Sequence, residues 1–387
     1  YVYYKYMKIL FLSNRVPHSE VAGSHKLIYR RMIRLKQKGH YIGLACLCSE
    51  EESKYVSNLT SSFDEIEIID NKKRTLLFRL LNDYINPSLP AIFWKNRSKY
   101  MMKKVGDMVD KNNYDLVIAE FGEMGQYLYK NPYLSAVHKI VSCHRCLTDT
   151  FRKYVSISGV PLSIKLKSSI QLNRLMKYEF EMYSAMDHIL TLTDEDRFSL
   201  LRYAPQLPVS VIPPGINLKE LNNVNIKNKP DYPLLMMCGY FTNKSNRDAA
   251  LWFIRNVWPI IRKRCPSARC WFVGNGIDSV MQQTNYHKSG ITMINNIDDL
   301  TPYRKLASIF INPIRLGSGL SIKILEAMGV GLPVVTTSLG AAGIPAQNGV
   351  NCFINNSPKG FADSIIWLIQ DTKLAKLIGE NAKYMVS

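Results

Sequence analysis

The sequence predicts an α/β fold of two domains, each a parallel sheet with helices wound over both faces. Three observations carry that expectation. Short continuous apolar runs alternate with longer stretches of helical periodicity along the whole chain, the pattern of strands buried on both faces. At 387 residues the chain exceeds what one hydrophobic core usually serves. A polar, aperiodic stretch rich in Asn, Lys and Pro, from Asn217 to Tyr232, splits the alternating series in two.

Taken in order, the first strand is Lys8 to Ser13, apolar without a break from Ile9 to Leu12. A helix is expected from about Ser24 to Lys38, closed by Gly39, and a second strand from Tyr41 to Cys48. The runs Asp115 to Glu120, Lys139 to Cys143, Asp187 to Thr193 and Val209 to Pro213 continue the first series. Leu234 to Cys238 starts the second, with Arg269 to Val273, Ile291 to Ile294, Ser308 to Asn312 and Pro333 to Thr337 after it. Parallel strands need crossover helices, so the expected architecture is two Rossmann-like doubly wound domains, 1–218 and 219–387, facing a cleft at the carboxyl edges of their sheets, with a linker at about 217–232.

Composition narrows the function classes. Hydrophobic content of 47% and charged content of 21% are those of a globular protein, and no apolar run approaches the roughly 18 residues of a membrane span. Met7 to Leu12 is too short for a signal-peptide core and is followed at once by Asn14 and Arg15; Met7 reads as a start, with Tyr1 to Tyr6 an upstream extension. Eight scattered cysteines include one C-x-x-C, Cys143 and Cys146, without a second pair at zinc spacing, so reduced thiols in a cytoplasmic protein are expected.

The formal charge is +19, from 50 Lys+Arg against 31 Asp+Glu. Residues 1–218 hold 31 bases and 21 acids and residues 219–387 hold 19 and 10, so the excess is shared by both domains. Acid-free basic runs occur at Val21 to Ser49 and Thr150 to Tyr178. Lys72 to Ile85 sets Lys72, Lys73, Arg74 and Arg79 beside Leu76, Leu77, Phe78, Leu80 and Leu81, as a helix lying on an anionic membrane surface would, or one packed on a core with solvated lysines. A field of this sign suits headgroups, nucleic acid or a phosphorylated substrate. Nucleic acid is the weakest of these, because no aromatic-basic RNA motif or helix-turn-helix accompanies the charge.

The most informative segment runs from Ile309 to Gly343: a buried strand, a glycine loop with Gly317 and Gly319, a helix from about Leu320 to Met328, then a second buried strand. A glycine loop feeding a helix N-terminus offers unpaired N–H groups and a positive dipole end to a phosphate. Glu326, further along that helix, is an acceptor for vicinal hydroxyls such as a ribose diol, or else a surface acid pairing with Lys323. Phosphate at one end and a diol at the other describe a nucleotide.

With Gly317 to Gly331 and Pro333-Val334-Val335, Met236 to Ala250, Gly39-His40, Ile212 to Asn217 and Glu179 to Asp196 in this order and spacing, the chain resembles glycosyltransferase family 4 (group 1), retaining nucleotide-sugar enzymes of the GT-B fold, from Met7 to about Gly379. The resemblance implies that Glu326 holds the ribose hydroxyls and that Gly319, Leu320 and Ser321 lie near the donor phosphates and sugar. It further implies that Gly23 lets substrate approach the loop after the first strand, that His144 stands against the donor sugar, and that Asn296 to Asp298 pass the nucleobase. The family's first signature glutamate is here Ser318, and its usual Arg and Lys for the diphosphate are Tyr240 and Asn246; Lys323, Lys244 and Arg315 are the candidate replacements. Ser387 falls about where the family's last helix crosses back to the first domain.

The resemblance implies retaining, metal-independent transfer of a hexosyl-type group from a UDP- or GDP-sugar co-substrate, with no further cofactor, to a glycan or lipid-linked acceptor in bacterial-type surface polysaccharide or glycoconjugate assembly. The enzyme would lie in the cytoplasm, peripheral to the inner face of the plasma membrane. His144, Lys323 and Glu326 are its candidate catalytic residues. An inactive nucleotide-sugar-binding homologue, an epimerase on the same fold and a basic nucleic-acid-binding protein are the alternatives.

Overall fold

A computed structural model describes the chain apart from residues 1–5, 19–23, 60, 72–88, 95, 156–161, 219–220, 222–227, 282–289, 296, 298 and 318–319. The expected helix at Lys72 to Ile85 therefore lies outside the described residues, as do Gly23, Asn296, Asp298, Ser318 and Gly319. The chain divides into two compact units, Tyr1–Pro213 and Pro214–Ser387.

In the first unit the described strands are β1 (Lys8–Ser13), β2 (Tyr41–Cys48), β3 (Glu65–Asp70), β4 (Leu116–Glu120), β5 (His138–Cys143), β6 (His188–Thr191) and β7 (Val209–Val211), in the sheet order β3-β2-β1-β4-β5-β6-β7. Every pairing is parallel. Successive residues of a strand feed opposite cores: Ile9 and Phe11 of β1 pack in one cluster, Leu10 and Leu12 in the other. That two-sided burial is the reason the strands read as unbroken apolar runs. Helices Ser24–Gln37, Lys99–Asn112, Leu147–Val155, Leu162–Ser184 and Asp194–Leu201 supply the crossovers. The edge strand β3 was not among the expected ones. Its sequence, Glu-Ile-Glu-Ile-Ile-Asp, alternates because one neighbour and part of one face are missing, and Glu65 is taken up by Asn112 and Tyr114 (both 2.7 Å).

In the second unit β8 (Leu234–Cys238), β9 (Arg269–Val273), β10 (Ile291–Ile294), β11 (Ile309–Asn312), β12 (Val334–Thr336) and β13 (Phe353–Ile354) lie in the order β10-β9-β8-β11-β12-β13, again all parallel. Leu235 and Met237 enter one core, Met236 and Cys238 the other. The helices Lys244–Trp252, Trp258–Arg264, Thr301–Leu306, Ile322–Gly329, Pro358–Gln370 and Thr372–Val386 flank the sheet. Ile216, Leu218 and Leu221 lie against Gly329, so this part of the polar stretch belongs to the second unit's packing. Among the described residues no helix is long and apolar enough to cross a membrane.

Strand order reverses between β1 and β4 in the first unit and between β8 and β11 in the second. Crossovers leave these strand pairs in opposite directions, which opens a crevice at their carboxyl ends. The functional candidates gather at those two places.

Candidate functional site

In the second unit, β8 ends at Cys238 and turns through Gly239 into the helix Lys244–Trp252, whose cap Asn243 accepts the Ser245 N–H (2.9 Å). The turn after β9 presses on it: a Cβ on Gly274, φ +138°, would lie 2.1 Å from the Gly239 carbonyl oxygen. Gly276, φ +73°, is equally tight against Thr242. Glycine is required here because two backbone turns share one van der Waals shell.

From β11 the chain runs to Gly317 (φ +105°) and on to the helix Ile322–Gly329. Ser245 Oγ donates to the Leu316 carbonyl, tying this loop to the turn after β8. Lys323 reaches the same turn: its Nζ donates to Asn246 Oδ1 (2.9 Å) and to the Cys238 carbonyl (3.4 Å), while Asn246 Nδ2 donates to the Tyr240 carbonyl (2.8 Å). Burial pushes the Lys323 ammonium down to about 8, with Cys238 opposing. Tyr240, Asn246 and Lys323 are thus one constellation. Arg315 lies elsewhere in its bonding, held bidentately by Asp248 (2.8 and 3.0 Å) and stacked 5.3 Å over the Trp252 ring. Lys244 is exposed in the first turn of its helix, and Leu320 packs, half-buried, on the second core.

Glu326 is buried, and its partner is not Lys323. Arg304 of the helix Thr301–Leu306 donates Nη2–H to Glu326 Oε2 at 2.6 Å, and both side chains are nearly inaccessible. Burial works against the Arg304 charge, but Glu326 and then Cys238 hold its pKa above the usual value. Several buried polar atoms of this unit lack a partner among the described residues: Arg304 Nε in this pair, and Ser321 Oγ, Asn275 Oδ1 and Asn312 Oδ1. Such orphans are costly in a finished core and ordinary in a site shaped for a polar ligand.

The first unit carries a second cluster. Glu120 ends β4 fully buried; its Oε1 accepts from Arg31 Nη1 (2.7 Å) and its Oε2 faces His144 Nε2 (3.1 Å). Arg31 Nη1 also reaches Ser142 Oγ (3.2 Å). Phe121, at φ +74°, sets its ring against the imidazoles of His144 (4.3 Å) and His25 (4.9 Å). His25 Nε2 bonds to Asn14 Oδ1 (2.9 Å). Cys143 and Cys146 are buried nearby, and burial holds both thiols above their usual range.

Sequence reading did not single out Arg304, Glu120, Arg31 or His25. Glu120 left a trace, an acid closing an apolar run at the carboxyl end of a strand. Arg304 left none, since a helix with two adjacent bases reads as a solvated face.

Residues 232–371 match the model of the family described as glycosyl transferases group 1. The chain is 23% identical over 390 residues to an uncharacterized 44.6 kDa protein in the cps region of Klebsiella pneumoniae, covering 97% of this chain and 94% of that one. It is 22% identical over 344 residues, 78% of this chain and 80% of the relative, to the Escherichia coli UDP-Gal:alpha-D-GlcNAc-diphosphoundecaprenol alpha-1,3-galactosyltransferase. Among solved structures, Anabaena HepE in complex with UDP superposes with a TM-score of 0.70 at 13% identity, over 98% of this chain and 95% of HepE. The fold, with its seven- and six-stranded parallel sheets, is GT-B.

Proposed function

We propose that this chain is a glycosyltransferase of the group 1 type that moves a hexosyl-type group from a nucleoside-diphosphate sugar to a glycan or lipid-linked acceptor, retaining the configuration at C1 and using no metal. The observation that carries the reading is Glu326. It is a carboxylate buried on the helix that follows the glycine loop after β11, paired with Arg304, whose Nε is an orphan, and it lies inside the segment that matches the group 1 family.

In this reading Glu326 takes the ribose hydroxyls, and the Gly317 to Ser321 segment with the following helix takes the diphosphate. Lys323, joined by Lys244, meets the negative charge that grows as the C1–O bond to the diphosphate breaks. The acceptor hydroxyl attacks C1 from the same face and its proton passes to the departing diphosphate oxygen, so no side-chain base is needed. His144 is assigned to the donor sugar, Tyr240 and Asn246 to the phosphate side, and Asn296 and Asp298 to the base. Arg315 joins them on exchange of its Asp248 partner for phosphate. The HepE complex supports UDP among the UDP and GDP alternatives, and the Escherichia coli relative supports a lipid-linked acceptor. The +19 charge supports a place at the anionic inner face of the plasma membrane.

A thermal-shift panel of UDP-, GDP- and ADP-sugars tests the reading. One base series should raise the melting temperature, since bound donor stabilises the folded chain by mass action. The same donor should be slowly hydrolysed to a product of retained anomeric configuration. A panel without any shift overturns the assignment, and stabilisation without turnover marks the inactive homologue that Ser318, Tyr240 and Asn246 also suit.

A further inference from the structure

The buried cluster at the carboxyl ends of β4 and β5 specifies more than a histidine near a sugar. Glu120 is wholly inaccessible, and Arg31 takes one of its oxygens while His144 Nε2 faces the other at 3.1 Å. Burial alone would drive this carboxyl up, but Arg31 first, and then His144 and Ser142, hold it below the usual carboxylate range. An ionised carboxylate accepts hydrogen bonds and donates none, so the nitrogen facing it carries a hydrogen. The other ring nitrogen, Nδ1, is buried and has no partner among the described residues. The Phe121 ring packs 4.3 Å from the imidazole at an interplanar angle of 33°, an apolar wall that offers Nδ1 nothing. Phe121 is held there with φ at +74°, a region that bulky L-residues seldom occupy.

We propose that Glu120, gripped by Arg31, is a positioning residue: it fixes His144 as the Nε2–H tautomer and so presents Nδ1 as a hydrogen-bond acceptor for a hydroxyl of a bound ligand, the group a sugar supplies in abundance. The nature of the ligand rests on the glycosyl-transfer reading above; the tautomer does not. The arrangement also says what Glu120→Gln does. Arg31 can bond only to an oxygen, so the new side chain keeps its carbonyl toward Arg31 and turns its amide toward His144. A donor at that place requires a bare Nε2 and moves the proton to Nδ1, which then no longer accepts.

The test is nuclear magnetic resonance of the full chain labelled with 15N-histidine, the His144 signal among seven histidines being identified by its loss in His144→Gln. The wild type is expected to show a protonated Nε2 and a bare Nδ1, and Glu120→Gln the reverse. The variant's kcat/KM for donor turnover should fall roughly 10- to 100-fold, the worth of one buried hydrogen bond to the ligand. A wild-type Nδ1–H, or a tautomer unchanged by Glu120→Gln, overturns the proposal; the wild-type measurement holds even where the variant folds poorly. A nucleotide sugar that raises the melting temperature should also shift the Nδ1 resonance, whereas UDP alone should not. Binding that leaves Nδ1 unmoved removes the sugar hydroxyl from Nδ1 without touching donor binding. A thermal-shift panel without any response sinks the glycosyl-transfer reading instead.

Discussion

Glu326 meets Arg304 at 2.6 Å in a buried place, and that pairing decides how the residue should be probed. Truncation to alanine would strand a buried guanidinium and confuse binding with folding. Glu326→Gln keeps the shape and removes the charge from the hydrogen bonds proposed for the ribose. The change from a charged to a neutral acceptor forfeits about 1–1.5 kcal/mol, so UDP or GDP affinity measured by calorimetry should fall roughly 5- to 12-fold. Arg304→Met, which takes away the guanidinium that faces the buried Glu326, should lower unfolding stability by about 3–5 kcal/mol in denaturant titrations. Adding Glu326→Gln to Arg304→Met should cost less than the sum of the two single changes, because both remove the same interaction.

The turns after β8 and β9 act as one structural piece. Gly239 and Gly274 touch so closely that a methyl group on Gly274 would fall 2.1 Å from a backbone oxygen, whereas one on Gly349, also at positive φ (+75°), meets nothing within 4 Å. Gly274→Ala must therefore part the two turns and displace Asn246, and with it Lys323. It should cost clearly more than the ~1 kcal/mol expected of Gly349→Ala, which pays backbone strain alone. Unfolding curves for the two variants check the difference, and only Gly274→Ala should also weaken nucleotide binding.

Charge and proton uptake act on the protein as a body. Burial first, then Arg15 and His144, hold His25 down from 6.5 to about 3, with Glu120 opposing. Between those pH values the unfolded chain binds the proton and the folded chain does not, so stability falls as pH falls, by about 1.4 kcal/mol per pH unit for one proton. Below about 3 the slope from this residue ends. His25→Gln should show a shallower loss of melting temperature from pH 6.5 downward than the wild type. The net +19 leads to a second expectation: co-sedimentation with phosphatidylglycerol vesicles at low salt that declines steadily as salt is added. Equal binding to neutral vesicles would remove the electrostatic attraction.

Periodicity and turn residues determined the strands in this chain wherever both faces are buried. β1, β2, β8 and β9 match the expected runs residue for residue, because an unbroken apolar run has few other places to go. The edges β7 and β10 were read as well, but the edges β3 and β13 were not, since β3 alternates and β13 has only two residues. Glu326 and His144 were nominated through motif spacing and family likeness, both local in sequence. Their partners were not: Arg304 lies 22 residues from Glu326, and Arg31 lies 89 residues from Glu120. The sequence by itself thus determined the fold class and which strand ends carry polar residues. Only the tertiary structure decided which charge faces which, because the strand order that brings β1, β4 and β5 together, or β8 and β11, is set by burial of whole sheets and leaves no mark in the spacing of the residues it pairs.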